Sequence, residues 1–114
     1  MAGAWIKTRV NGITIQKIQL TESAVATEDG VWVNIEGMAP FSIHVAGITT
    51  GTVQIYISND ATQPANNTDD IQLGSDITAD GMTENTIPVR WIKSKVSAWT
   101  TGTFIVELVA RNKA

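Results

Sequence analysis

"GTVQIYISND", residues 51–60, decides the fold class. Apolar and polar side chains alternate along it, with Val53, Ile55 and Ile57 forming one apolar side. Strict period-two alternation is the signature of a half-buried strand, because successive side chains of an extended chain point to opposite faces. The alternation stops on Ser58, Asn59 and Asp60. Those residues either form a binding site or close the strand by offering side-chain oxygens to backbone donors in a turn. The second role has the simpler cause, so the ending reads as structural first and as loop contacts second.

The same alternation recurs on both sides of this segment. In "VWVNIEG", Val31, Val33 and Ile35 share a face, with Trp32, Asn34 and Glu36 opposite. In "FSIHVAG", Phe41, Ile43 and Val45 oppose Ser42, His44 and Ala46. In "TFIVELVA", Phe104, Val106 and Leu108 stand against Ile105, Glu107 and Val109, which predicts a strand covered on both faces. Helical periodicity is almost absent. Glu28-Asp29-Gly30, Met38-Ala39-Pro40, Thr49-Thr50-Gly51, Asp80-Gly81 and Thr100-Thr101-Gly102 fall between the apolar runs and carry turn chemistry. "ITIQKIQL" changes phase between Ile15 and Ile18, and a bulge at Gln16 and Lys17 would bring Ile13, Ile15, Ile18 and Leu20 to one core. Pro88, which has no N–H to give to a ladder, suits an edge or a strand start.

About eight short strands at regular spacing predict an all-β fold, a single antiparallel β-sandwich of jelly-roll type. At 114 residues it is expected to be one domain, 1–114, with a short N-terminal arm over 1–10 and a long loop over 58–76. Ile71 and Leu73 would make a short strand at the base of that loop. In a jelly roll the first and last long strands are commonly neighbours. That topology would bring Lys7, Arg9 and Lys17 close to Lys93, Lys95 and Arg111.

Composition narrows the function classes. Hydrophobic residues make up 43% and charged residues 17%, a balance that folds rather than stays disordered. No apolar run approaches the roughly 18 residues that span a bilayer, and no membrane association is expected. The opening "MAGAWIKTRV" has no apolar core of the kind a signal peptide needs, so none is expected. Without cysteine there is no disulfide, thiol nucleophile or thiolate metal site. The net charge of −3 is unevenly laid out: every Lys and Arg lies in the first 17 residues or from Arg90 onward, and the stretch between is acidic. Acidic surface loops, common in soluble proteins, explain this layout equally well; the sharper reading is a two-signed molecule whose basic side meets an acidic partner.

Chemical motifs are scarce. Serine catalysis would need His44, the one histidine, as base, yet it lies mid-strand with no G-x-S-x-G nearby. The adjacent carboxylates Asp69 and Asp70 lack the separation across a cleft that glycoside hydrolysis needs. No catalytic residue and no cofactor is assigned, and the chain is read as no enzyme. Asn59, Asp60, Asn67, Asp69, Asp70 and Asp76 supply oxygens of the type calcium takes, without EF-hand spacing, so no metal ligand is assigned. Asn66-Asn67-Thr68 matches a glycosylation acceptor, which matters only in a secreted eukaryotic protein. Nucleic-acid binding is not expected, because the chain is acidic and has no phosphate loop or aromatic-basic recognition motif.

Four tryptophans stand out: Trp5, Trp32, Trp91 and Trp99. In "RWIKSKVSAW", alternation groups Ile92, Val96 and Ala98 on one face and puts Trp91 with Lys93, Lys95 and Trp99 on the other. Tryptophan is enriched at interface hot spots, where it buries a large rigid area and keeps a polar handle. Trp5 and Trp91 are expected to meet another chain, whereas Trp32 and Trp99 are as well explained as covers for sheet edges.

"FSIHVAGITTGTVQIYISND" followed by "IPVRWIKSKVSAWTTGTFIVELVARN" resembles small tailed-bacteriophage virion proteins of the capsid decoration, or cement, type. The shared pattern is a strand ending in Ser-Asn-Asp, a variable loop, an aromatic-flanked basic strand, a Thr-Gly turn and a final apolar strand, over Phe41 to Asn112. The resemblance implies a virion structural protein, either a decoration protein that binds the major capsid protein on the capsid exterior, as a homotrimer made in the host cytoplasm, or another head or tail accessory protein. It carries over no catalytic residue. Trp5, Lys7, Arg9, Trp91, Lys93 and Lys95 are the residues expected to face the capsid or a sister subunit, with the loop from Asp60 to Asp76 turned to solvent. The Ser-Asn-Asp ending also resembles discoidin-like sugar-binding sandwiches, which leaves a carbohydrate-binding module of a phage tail or fibre as the alternative.

Overall fold

The computed structural model describes residues 3–10, 13–36, 38–69 and 71–112. Eight strands follow in chain order: β1 (Ile6–Val10), β2 (Ile13–Ala24), β3 (Glu28–Asp29), β4 (Val33–Asn34), β5 (Met38–Ser58), β6 (Ile71–Gln72), β7 (Gly81–Asn85) and β8 (Trp91–Asn112). All pairings between them are antiparallel, and the fold is an all-β, jelly-roll-like sandwich.

Two strands of exceptional length organise the molecule. β5 and β8 pair from Met38↔Asn112 to Ser58↔Trp91. β2, β3 and β4 line the far side of β8, while β7, Ile77 and β6 line the far side of β5. The expected adjacency of the first and last long strands therefore holds, as β2 beside β8.

Thr49-Thr50-Gly51 and Thr100-Thr101-Gly102 do not separate strands, contrary to the expected turns. They lie inside β5 and β8, where register shifts cluster between Ala46 and Val53 and bend the pair. The bend needs glycine at two positions. Gly47 (φ 82°) and Gly102 (φ 119°) adopt backbone conformations that side chains disfavour. A Cβ on Gly47 would fall on the Thr103 carbonyl oxygen, and one on Gly102 would fall on the Gly47 carbonyl oxygen. Phe104 is wholly buried, and its ring lies where Cβ atoms on Gly51 and Gly102 would be. Turn-forming residues here fold one sheet over on itself instead of ending a strand.

Between the folded halves sits one apolar cluster. Ile18, Leu20, Phe41, Ile43, Val45, Val106 and Leu108 come from one half, and Val53, Ile55, Ile92 and Val96 from the other. Each such side chain contributes on the order of 1.5–3 kcal/mol when removed from water. A polar bond lies within this core: the hydroxyls of Thr21 on β2 and Ser94 on β8 are 2.6 Å apart and both buried. Each satisfies the other, which removes the desolvation penalty of a lone buried hydroxyl.

The expected bulge at Gln16 and Lys17 is absent. Register runs unbroken from Ile15↔Arg111 to Gln19↔Glu107, and the shifts come later, between Gln19 and Thr21 and between Thr21 and Ala24. Consequently Ile18 and Leu20 are core while Ile15 lies on the opposite face with exposed Lys17. Gln16 takes the inner position instead. The side chains of Ile13 and Arg111 lie outside the described residues.

Candidate functional site

The outer face of β8 carries Trp91, Lys93 and Lys95, as alternation predicts, but much of that face is covered. The chain leaving β5 folds back across it over residues 59–69. Lys93 is fully buried there. Its Nζ donates to the carbonyl oxygens of Asn66 (2.6 Å) and Thr68 (2.9 Å) and to Oδ1 of Asp69 (3.0 Å). Oδ1 of Asp29 on β3 lies 3.4 Å away. The rings of Trp32 and Tyr56 flank the ammonium, with centroids 5.3 and 5.6 Å from Nζ. An ammonium has three protons, and three close oxygens accept them.

Asp69 joins this cage to the surface. Its Oδ2 accepts from Lys95 Nζ at 2.7 Å, so one carboxylate bridges two lysines. The Lys95 bond, with Lys93 adding to it, holds the Asp69 carboxyl below the usual carboxylate range. The same bond raises the Lys95 ammonium. Burial raises the Tyr56 phenol, with Asp69 adding to it. The phenol donates to Gln54 Oε1 at 2.7 Å, and Gln54 and Gln72 both donate to Asp76 Oδ1 at 2.9 Å. These two amide bonds hold Asp76 below the carboxylate range as well.

Chemically, this arrangement is a clamp. An ammonium whose three N–H bonds are all directed at oxygens presents no lone pair for nucleophilic attack. Of the six residues weighed in the sequence as calcium-type oxygen donors, Asp69 has its carboxylate engaged by lysine donors and Asp76 by glutamine donors. Asn59 Oδ1 accepts from the backbone N–H of Arg90 at 3.1 Å, and Asp70 lies outside the described residues. No group of acidic or histidine residues suited to a metal ion occurs among the described residues. The Ser-Asn-Asp ending closes β5 as its structural reading requires: Ser58 Oγ accepts from the Asp60 N–H at 3.2 Å.

Three of the four indole N–H groups bond within the chain. Trp32 is buried and donates its indole N–H to the Ala65 carbonyl at 3.0 Å. Trp91 donates to the Asp60 carbonyl at 3.0 Å, and Trp99 to the Gly102 carbonyl at 2.9 Å. Trp91 thus fastens the start of the covering loop and Trp32 its middle, and Trp99 fastens the bend. Trp5 is partly buried against the core cluster.

The six residues expected to share a contact face are therefore divided. Lys93 is withdrawn from any such face, because the 59–69 loop seals it inside the protein. Lys95 is paired with Asp69, and Trp91 with a loop carbonyl. Lys7 and Arg9 lie on β1, beside β2, which adjoins the opposite end of β8. Both are exposed and form no ion pair with another described residue. The expected approach of Lys7, Arg9 and Lys17 to Lys93 and Lys95 does not occur, because β2 pairs with β8 only from Phe104 to Arg111. The Arg111 backbone does lie beside Ile15, and Lys17 pairs with Glu107 at 3.3 Å. His44 stands exposed on the outer face of β5, level with Glu107 and Met82.

No protein-family model matches the chain, and no curated protein matches it. Solved structures with a similar fold exist. The SPBc2 prophage-derived protein YomS superposes with a TM-score of 0.52 at 13% identity, covering 92% of this chain and 99% of that one. The cupin domain of Drosophila melanogaster CENP-C gives a TM-score of 0.44 at 11% identity over 95% of this chain and 75% of that one, too distant to argue from. The likeness to YomS is one of fold.

Proposed function

We propose that this chain is a structural protein of a bacteriophage particle, a head decoration protein that binds the major capsid protein from outside and strengthens the shell. The observation that supports it best is a fold shared with almost the whole length of a prophage-derived protein. The site chemistry agrees: its charged groups are directed at holding the chain's own loop, as suits a protein whose task is physical. Lys7 and Arg9 are the contact cations of this reading, on a strand rooted by Trp5 in the core. Each copy adds an interface that must be lost before the shell opens, and many copies together convert modest affinity into strength.

The carbohydrate-binding alternative has less support, because Trp32 is buried, Trp5 and Trp99 pack against the core, and the indole N–H groups of Trp32, Trp91 and Trp99 are bonded to the chain's own carbonyls. Purified protein added to phage heads stripped of it is expected to rebind and raise their rupture temperature, and Lys7→Glu/Arg9→Glu protein is expected to do neither. Unchanged rupture temperature with wild-type protein rejects the reading. Saturable binding to a defined saccharide instead favours the alternative.

A further inference from the structure

One end of the molecule is a row of five antiparallel strands in the order β1-β2-β8-β5-β7. A single ladder crosses it through Ile6, Lys17, Val109, Ser42 and Glu84. β1 and β7 are the two ends of this row, and neither has a further partner strand among the described residues. Each therefore presents a line of backbone donors and acceptors to the outside, the standard template for pairing with another chain.

Three features choose the partner. First, the faces match. Ile6 shares its face with Glu84 through the ladder, and Met82 lies two residues from Glu84 on that same face. These two side chains are among the largest exposed apolar groups, at 58% and 67% exposure, one at each edge. Second, charge rejects the symmetric choice at β1. Pairing β1 with β1 of another copy runs antiparallel and sets Lys7 and Arg9 against each other, a destabilising arrangement. Pairing β1 with β7 of another copy in the register that joins Ile6 to Met82 sets Lys7 beside Thr83 and Arg9 beside Asn85, with no like-charge contact. Third, direction permits it. With five alternating strands, β1 and β7 run the same way, so a rotation that preserves strand direction brings them together as a parallel pair.

We propose that the β1 edge of this protein binds the β7 edge of a second copy, extending the sheet head to tail. The contact is heterologous, so it does not stop at two chains. It closes into a ring or continues as a filament. Lys7 and Arg9 project from the face opposite Ile6, so capsid binding and self-association use different parts of β1. The inference does not depend on the capsid reading and is tested without heads.

The experiment uses the full chain in sedimentation equilibrium, with the 12.2 kDa protomer as reference. Wild-type protein is expected to form species of three or more protomers. Ile6→Asp and Met82→Asp each break one edge and should each be monomeric, with unchanged circular dichroism, since both positions are exposed. An equimolar mixture of the two variants should recover a species of two chains and nothing larger, because each supplies the edge the other lacks. A monomeric wild type overturns the proposal. So does a wild type that stops at two chains, or a Met82→Asp protein that still associates by itself.

Discussion

Asp69 Oδ1 lies 3.0 Å from Lys93 Nζ, and the other oxygen of the same carboxylate lies 2.7 Å from Lys95 Nζ. The pairing is asymmetric in solvent. Lys93 has no exposed side-chain surface, whereas the side chains of Asp69 and Asp29 are 33% and 37% exposed. The ammonium depends on the protein for solvation, but the carboxylates can turn to water.

That asymmetry predicts which half of the clamp is costlier to remove. Asp29→Asn/Asp69→Asn leaves a buried ammonium without a counter-charge and should destabilise by about 3 kcal/mol. Lys93→Met keeps the stem volume and leaves carboxylates that rehydrate, so its loss should be nearer 1–2 kcal/mol. Urea denaturation of the two variants measures the order, and equal losses would refute the account.

Acid and alkali should both weaken the same bond. Asp69 and Asp76 titrate lower in the folded than in the unfolded chain, so their contribution is present above about pH 4 and is lost as pH falls through the folded values. Lys95 and Tyr56 titrate higher when folded, so theirs is present below about pH 10 and is lost as pH rises through the folded values. Melting temperature should therefore be flat between these limits and fall outside them. Asp69→Asn should make both limbs shallower while leaving the parts carried by Asp76 and by the burial of Tyr56, and an unaltered alkaline limb would contradict the link to Lys95.

The folded-over sheet gives a contrast among glycines. Gly47→Ala and Gly102→Ala drive a methyl group into backbone oxygens and should each cost about 3 kcal/mol or more. Gly74 also has positive φ, at 74°, but nothing lies within 4 Å of a Cβ built there. Gly74→Ala should cost only the backbone term, about 1–2 kcal/mol. Thermal melts of the three variants check the ranking.

Trp32→Phe removes the bond to the Ala65 carbonyl while keeping an aromatic wall beside Lys93. A stability loss of about 1–2 kcal/mol is expected. The loop should also be nicked faster by proteases between residues 60 and 68, since its release no longer breaks that anchor. Limited proteolysis with mass mapping reads this out, and an unchanged cleavage rate would show that Trp32 does not restrain the loop.

Side-chain alternation at Phe41–Val45, Val53–Ile57 and Phe104–Leu108 was sufficient for the strand assignment, the all-β class and the core side of each strand. Pleating is local: each side chain's direction follows from its neighbours on the chain. The closing role of Ser58 and Asn59 is legible for the same reason. Alternation says which way Lys93 points, however, and nothing about what arrives on that side. Its burial comes from a loop crossing 24 to 27 residues away in the chain, a contact with no periodic trace. Gly51 and Gly102 likewise have the chemistry of a turn, and whether they end a strand or bend it depends on the strand alongside. Long-range pairing alone chose the bend, because only a neighbour's backbone at contact distance makes the missing side chain a requirement.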